Sequence, residues 1–287
     1  MPPSTTIDLP FVPPYEREKA LALIAAHAVP GAERVDPHEF SVTRVMTAPS
    51  GPVAVRVVLG TRSVMTTISS VEPSDVAAVA SLVRAWLDLD LEPPRITDAF
   101  GRDPILGTMV AARPGLRVIG HPDGYEAAIT TVLGQQVSLV SARTFAGRLV
   151  AAFGEPGPDS LHLFPRPDVL ASVPTDELQR AVGLTGARTQ TVQAVARASA
   201  DGLRLTPSVD LVQTRASLLA IPGIGPWTAD YLAVRALGDR DAYPAGDLVL
   251  RRALGVRTAG EAERLAEPWR PLRSYALIHL WTTAAFS

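Results

Sequence analysis

The chain has 287 residues, 47% of them hydrophobic, with 27 basic and 29 acidic side chains, a formal charge of −2 and no cysteine. Such a length and apolar content suit two or three packed units. The missing thiols exclude disulfides, thiolate metal sites and a cysteine-held iron–sulfur cluster. No apolar run is long enough to span a bilayer, and no basic-then-apolar segment opens the chain, so a cytoplasmic protein without membrane contact is expected.

Residues 1–95 read as a mixed α+β domain. Glu16 to Ala28 has helical apolar periodicity. Phe40–Met46, Val53–Leu59 and Ser63–Ile68 are β-branched runs with partial alternation, separated by Pro49-Ser50-Gly51 and by Gly60. A second helix is predicted from about Ser74 to Leu89. Together these predict an antiparallel sheet with helices on one face. Nothing in this part carries chemistry on its own, which makes it a supporting domain.

Glu92-Pro93-Pro94 marks the boundary, and residues 96–287 read as helical. Asp123-Gly-Tyr-Glu126 is a capping-box start for a helix ending near Gly134-Gln135-Gln136. A helix over Val137–Phe153 follows, then a loop and short turn over 159–172. Further helices are predicted at 175–182, 186–200, 209–220 and 226–237, then one opened by the capping box Thr258–Glu261, then a last one from Leu272 to Ala285. The fold class is therefore mainly α, a sheet-bearing domain followed by a helical core.

The segment from Leu218 to Asp247, LLAIPGIGPWTADYLAVRALGDRDAYPAGD, organises the core. Gly223 and Gly225 permit a tight turn, and Pro226 suits a first helical position. Backbone N–H groups left free at such a turn and helix start form an anion site, and a phosphodiester is the obvious anion. About twenty residues on, Tyr243-Pro244-Ala245-Gly246 delivers Asp247 to the head of an L-V-L-R-R-A-L helix.

PGIG, the following W-T-A-D-Y and the acid before that helix resemble the helix-hairpin-helix DNA glycosylases, most closely the bacterial 3-methyladenine DNA glycosylase II type. The resemblance extends through AARPGLR at 111–117, TVLGQQVS at 131–138 and WRPLRSYALIHLW at 269–281, and more weakly to LPFVPPY at 9–15. It implies a two-lobed core, with lobes at about 124–240 and at 96–123 plus 241–287, and the hairpin at 218–237. It also implies that Asp247 is catalytic and that the hairpin grips the DNA backbone.

Asp247 is first of all a helix N-cap, a common role for aspartate. The two roles are compatible. The helix dipole favours the charged carboxylate, and a fixed negative charge stabilises the oxocarbenium-like sugar formed as a base departs. It can also orient or deprotonate the attacking water. Asp230, Asp239 and Asp241 read as solvated charges. Trp227, Tyr231, Trp281 and Tyr275 are candidate walls of a base pocket, since an extruded base is held between apolar faces and electron-rich rings attract a cationic alkylated purine. A buried tryptophan is also an ordinary core residue, and Trp86 and Trp269 are read that way.

Gln135 and Gln136 either link two helices or, as the resemblance implies, plug the gap left by the flipped base. The family often has a bulky apolar wedge at the Gln136 position, and this chain departs from that with an amide. Gly223, Ile224, Gly225, Trp227 and Thr228 are expected to meet phosphate through N–H groups and a hydroxyl. In relatives the turn's carbonyls also hold a monovalent cation. Arg251, with Arg252, stays open between phosphate contact and plain helix charge. The five scattered histidines lack metal-ligand spacing, so no side-chain metal site is expected.

Residues 1–100 carry a net −4 and residues 101–287 a net +2, so the hairpin lies in the relatively basic part. Of the 27 basic residues 26 are arginine, and the one lysine, Lys19, is far from the hairpin in sequence. Bifunctional relatives place a Schiff-base lysine two residues after the second hairpin glycine, where this chain has Trp227; arginine cannot replace that amine. The expectation is a monomeric, monofunctional glycosylase without organic cofactor, removing alkylated purines from double-stranded DNA. Two alternatives remain: the same architecture acting on deaminated or oxidised bases, and a non-catalytic module that binds damaged DNA.

Overall fold

A computed structural model describes residues 3–285. The chain opens with β1 (Thr5–Pro10), α1 (Arg17–His27), β2 (Glu33–Asp36), β3 (Ser41–Ala48), β4 (Gly51–Leu59), β5 (Ser63–Ile68) and α2 (Pro73–Leu87). The strands form one antiparallel sheet in the order β1-β5-β4-β3-β2. The central strands β3, β4 and β5 correspond to the three β-branched runs. Along β4, Val53, Val55, Val57 and Leu59 are buried and alternate with more exposed neighbours, the period of a strand with one covered face. Sequence patterning missed β1 and β2. Both are edge strands, one ending in Pro10 and the other reading Glu-Arg-Val-Asp. Proline and charge are what protect a sheet edge, and they also hide it from a hydrophobic pattern.

The sheet packs on α1 and α2 through Val55, Val57, Val64, Ile68, Val79 and Val83. Residues 115–120 return to this unit. The Glu16 N–H donates to Gly115 O (3.0 Å) and the Gly120 N–H to Trp86 O (2.7 Å), and Ile119 joins its core.

The helical part comprises α3 (Pro93–Phe100), α4 (Gly107–Ala112), α5 (Gly124–Gly134), α6 (Leu139–Phe153), α7 (Pro167–Ser172), α8 (Thr175–Val182), α9 (Gly186–Ala200), α10 (Leu211–Leu219), α11 (Pro226–Arg235), α12 (Leu248–Leu254), α13 (Ala259–Ala266) and α14 (Arg273–Ala285). Helix α7 occupies part of the expected loop at 159–172. A second core runs through this part, with Ile129, Leu133, Leu149, Val192, Leu232 and Ala276 at its centre.

The predicted capping box at Thr258–Glu261 is complete. The one at α5 forms by half. Asp123 accepts the Glu126 N–H at 2.9 Å, but the Glu126 carboxylate turns away to Arg44 of β3 (2.6 Å). Arg44 also pairs with Glu33, so one buried guanidinium serves two carboxylates and ties sheet to core. Burial pushes Glu126 up to about 8 despite the arginine. Among the described residues, no helix is long and apolar enough to cross a membrane.

Candidate active site

Asp247 caps α12 from extended backbone, with φ −63° and ψ 130°, and its Oδ1 accepts the Leu250 N–H at 2.8 Å. Two indoles complete its environment. Trp281 Nε1 of α14 donates to Oδ1 at 3.1 Å, and Trp227 Nε1 of α11 donates to Oδ2 at 2.9 Å. A carboxylate offers about four acceptor positions. Three are filled here, all by uncharged N–H groups, and the one left open is on Oδ2.

The same indoles belong to a ring wall. Trp227 stacks on Tyr231, with centroids 5.1 Å apart and planes at 15°, and Tyr231 meets Trp281 at 6.1 Å. Asp247 and these three rings line one cavity of about 390 Å³. Part of its lining comes from the N-terminal domain, where α1 contributes Leu23 and His27. His27 Nδ1 donates to Leu23 O at 2.9 Å. Burial, then the charge of Arg235, pushes His27 down to about 4. His121, which also lines the cavity, is held well below the ordinary histidine value, first by burial and then by Arg44 and Arg235.

The hairpin between α10 and α11 turns at Gly223, whose φ is +88°. A Cβ there would lie 2.1 Å from Thr191 Oγ1, so only glycine fits. The Ile224 N–H is used inside the turn, on Ile221 O (3.0 Å), and its side chain is buried. The N–H groups of Gly223, Gly225, Trp227 and Thr228 have no acceptor among the described residues. The Thr228 hydroxyl faces inward, accepting from Gln135 Nε2 (3.2 Å), rather than outward as expected. The same amide donates to Gly223 O (3.1 Å), which joins the 135–136 loop to the hairpin. Gly223 O and Ile221 O each keep a second lone pair, so the turn's donor set fits a monovalent cation.

Comparison with known proteins accords with this arrangement. Residues 6–123 match the AlkA N-terminal domain, and residues 129–269 match the HhH-GPD superfamily of base excision DNA repair proteins. The DNA-3-methyladenine glycosylase 2 of Escherichia coli is 32% identical over 96% of this chain and 96% of its own length. The chain belongs to the HhH-GPD superfamily, in the form that carries an AlkA N-terminal domain. The Mycobacterium tuberculosis protein named "Probable bifunctional transcriptional activator/DNA repair enzyme AlkA" is 38% identical over 98% of this chain, and the chain spans 57% of that relative's length. In fold, the 3-methyladenine DNA-glycosylase from Archaeoglobus fulgidus superposes with a TM-score of 0.84 at 21% identity, covering 98% of both chains.

The remaining predicted site residues are less uniformly placed within this superfamily fold. Tyr275 is 4% exposed and does not line the cavity; its hydroxyl donates to Asp88 Oδ2 at 3.1 Å. It shares α14 with Trp281, but six residues turn a helix by about 240°, which puts the two on different faces. Gln136 is exposed at the loop apex with φ +56°, a conformation that glutamine seldom adopts. Arg251 folds onto its own loop, with Nη1 donating to Arg257 O. Asp230 and Asp241 are not simply solvated, since Arg215 pairs with the first and Arg270 and Arg273 with the second. Asp239 accepts the Asp241 N–H at 2.8 Å. Trp86 and Trp269 are buried.

Sequence reasoning missed the α1 contribution altogether. Leu23 and His27 carried no local signal. Lys19, remote in sequence, lines a smaller adjoining cavity that shares Leu23, His27 and Trp281 with the first. It is not among the residues around Asp247.

Proposed function

We propose that the chain is a monofunctional DNA glycosylase that hydrolyses the bond between deoxyribose and an alkylated purine in double-stranded DNA, leaving an abasic site. The observation that carries this reading is Asp247, clasped by two indole N–H groups and a backbone N–H in a ring-lined cavity. The name of the Escherichia coli relative supports the substrate class.

In this reading the extruded base enters between the rings of Trp227, Tyr231 and Trp281. An alkylated purine is already positive, so the C1′–N bond breaks without a general acid, and the bond pair neutralises the departing base. Asp247 faces the sugar with no cationic side chain of a described residue hydrogen-bonded to it and stabilises the positive C1′. The open position on Oδ2 receives a proton from the attacking water or orients it. The four free hairpin N–H groups hold a phosphate, with a turn-bound cation adding positive charge there, and Gln136 fills the space that the base vacates. No lysine is placed for Schiff-base chemistry. The cavity is complete within one chain, which supports action as a monomer.

The test is base release from methylated duplex DNA by Asp247→Asn. A loss of roughly 10²–10³-fold or more is expected. Undiminished release would remove the carboxylate from the mechanism, and a wild-type protein that binds abasic DNA but releases nothing would make this a binding module.

A further inference from the structure

The reaction just proposed leaves part of the cavity lining without a role. Arg235, the last residue of α11, belongs to that lining and is only 6% exposed. Among the described residues its guanidinium has neither a hydrogen-bond acceptor nor a carboxylate within ion-pair distance. It lies over the Tyr231 ring, 5.9 Å from Cζ to the centroid. A buried arginine is ordinarily paired, because its five donors lose water on burial. Here the donors border a space sized for a ligand. His27 stands nearby with Nδ1 committed to Leu23 O, which leaves Nε2 as an acceptor. The cavity lining therefore combines a carboxylate at Asp247 with stacked rings and an unengaged guanidinium that lies over one of those rings.

That polarity bears on which bases can leave. When the C1′–N bond breaks, its electron pair goes with the base, water adds to C1′, and the water's proton goes to Asp247 or solvent. A cationic alkylated base becomes neutral and needs no help. A neutral base becomes an anion, spread over its ring nitrogens and carbonyl oxygen, and picks up a proton only later. A guanidinium at that edge stabilises the second case and does nothing for the first, or opposes it. We infer that Arg235 is a specificity-determining donor to the departing base, hydrogen-bonding a carbonyl oxygen or ring nitrogen and so favouring neutral, acceptor-bearing bases relative to cationic ones. This inference rests on the glycosylase reading above.

The experiment compares wild type with Arg235→Met and Arg235→Lys on duplexes holding a single 7-methylguanine (cationic) or a single hypoxanthine (neutral, with a carbonyl), under single turnover. The ratio of hypoxanthine to 7-methylguanine release is expected to fall about ten- to a hundred-fold in Arg235→Met. It should fall less in Arg235→Lys, which keeps the charge but not the planar fork. A purely structural arginine would depress both releases alike and leave the ratio constant, which overturns the inference. Should Arg235→Met not fold, as read by thermal melting, the ratio in Arg235→Lys decides. Release of 7-methylguanine alone by wild type also overturns it. Release of neither base by wild type defeats the glycosylase reading itself, a separate outcome.

Discussion

Helices α5 and α12 begin alike. Asp123 and Asp247 both precede their helix in extended backbone, and both accept the N–H of the third helical residue, at 2.9 and 2.8 Å. Their surroundings differ. Asp123 is exposed and holds its helix start, and the nearby Glu126 is matched to a guanidinium. Asp247 receives two indole N–H groups from α11 and α14, 20 and 34 residues away, and no arginine. Dipolar N–H groups orient a carboxylate without cancelling its charge, whereas a guanidinium does both. A cap thus becomes a candidate catalyst through what reaches it from elsewhere in the fold, not through its local sequence.

The largest expected effect breaks that pair apart. Asp123→Ala and Asp247→Ala should each cost about 1 kcal/mol of stability, the usual loss of an N-cap. Only Asp247→Ala should abolish base release, by about 10²–10³-fold or more. Thermal unfolding and single-turnover base release on the two variants check this. An equal loss of activity in both would mean that cap geometry, not the indole clasp, sets the difference.

A smaller effect isolates the clasp. Trp227→Phe and Trp281→Phe keep a ring in each wall but remove one donor to Asp247. Each should lower the single-turnover rate about ten-fold, the order expected for a hydrogen bond to a charged group. DNA affinity should change little. Unaltered rates would reduce both tryptophans to walls, as the sequence alone suggested.

What the sequence disclosed follows from which signals are local. The period-2 burial of β4, the left-handed turn at Gly223 and the cap at Asp247 are each specified within a few residues, so patterning finds them. The donors to Asp247 are not local. Trp227 and Trp281 were legible as aromatic candidates, but their N–H groups meet the carboxylate only once α11 and α14 pack. Helical phase removed Tyr275 from the same group. Arg44, arriving from β3, drew Glu126 out of its capping box. The contribution of α1 was invisible because Leu23 and His27 look like any helix residues until the N-terminal domain docks against the cleft.

The smallest effect tests whether the site depends on α14. His279 lies two residues before Trp281, is 2% exposed, and has no partner for Nδ1 among the described residues. Burial, then the charge of Arg113, pushes it down to about 4 from an ordinary value near 6.5. Between those values the unfolded chain binds a proton that the folded chain refuses, so the stability present above pH 6.5 is lost as pH falls towards 4. His27 adds to the same window. His279→Leu removes one such group and costs no ring hydrogen bond to a described residue. Its melting temperature should therefore fall less steeply than wild type between pH 6.5 and 4, by roughly a few degrees. Amide exchange at pH 5 should show wild-type α14 loosening before the start of α5, and the variant should delay it. An identical pH slope in the two proteins would show that α14 is not the acid-sensitive support of the Asp247 clasp.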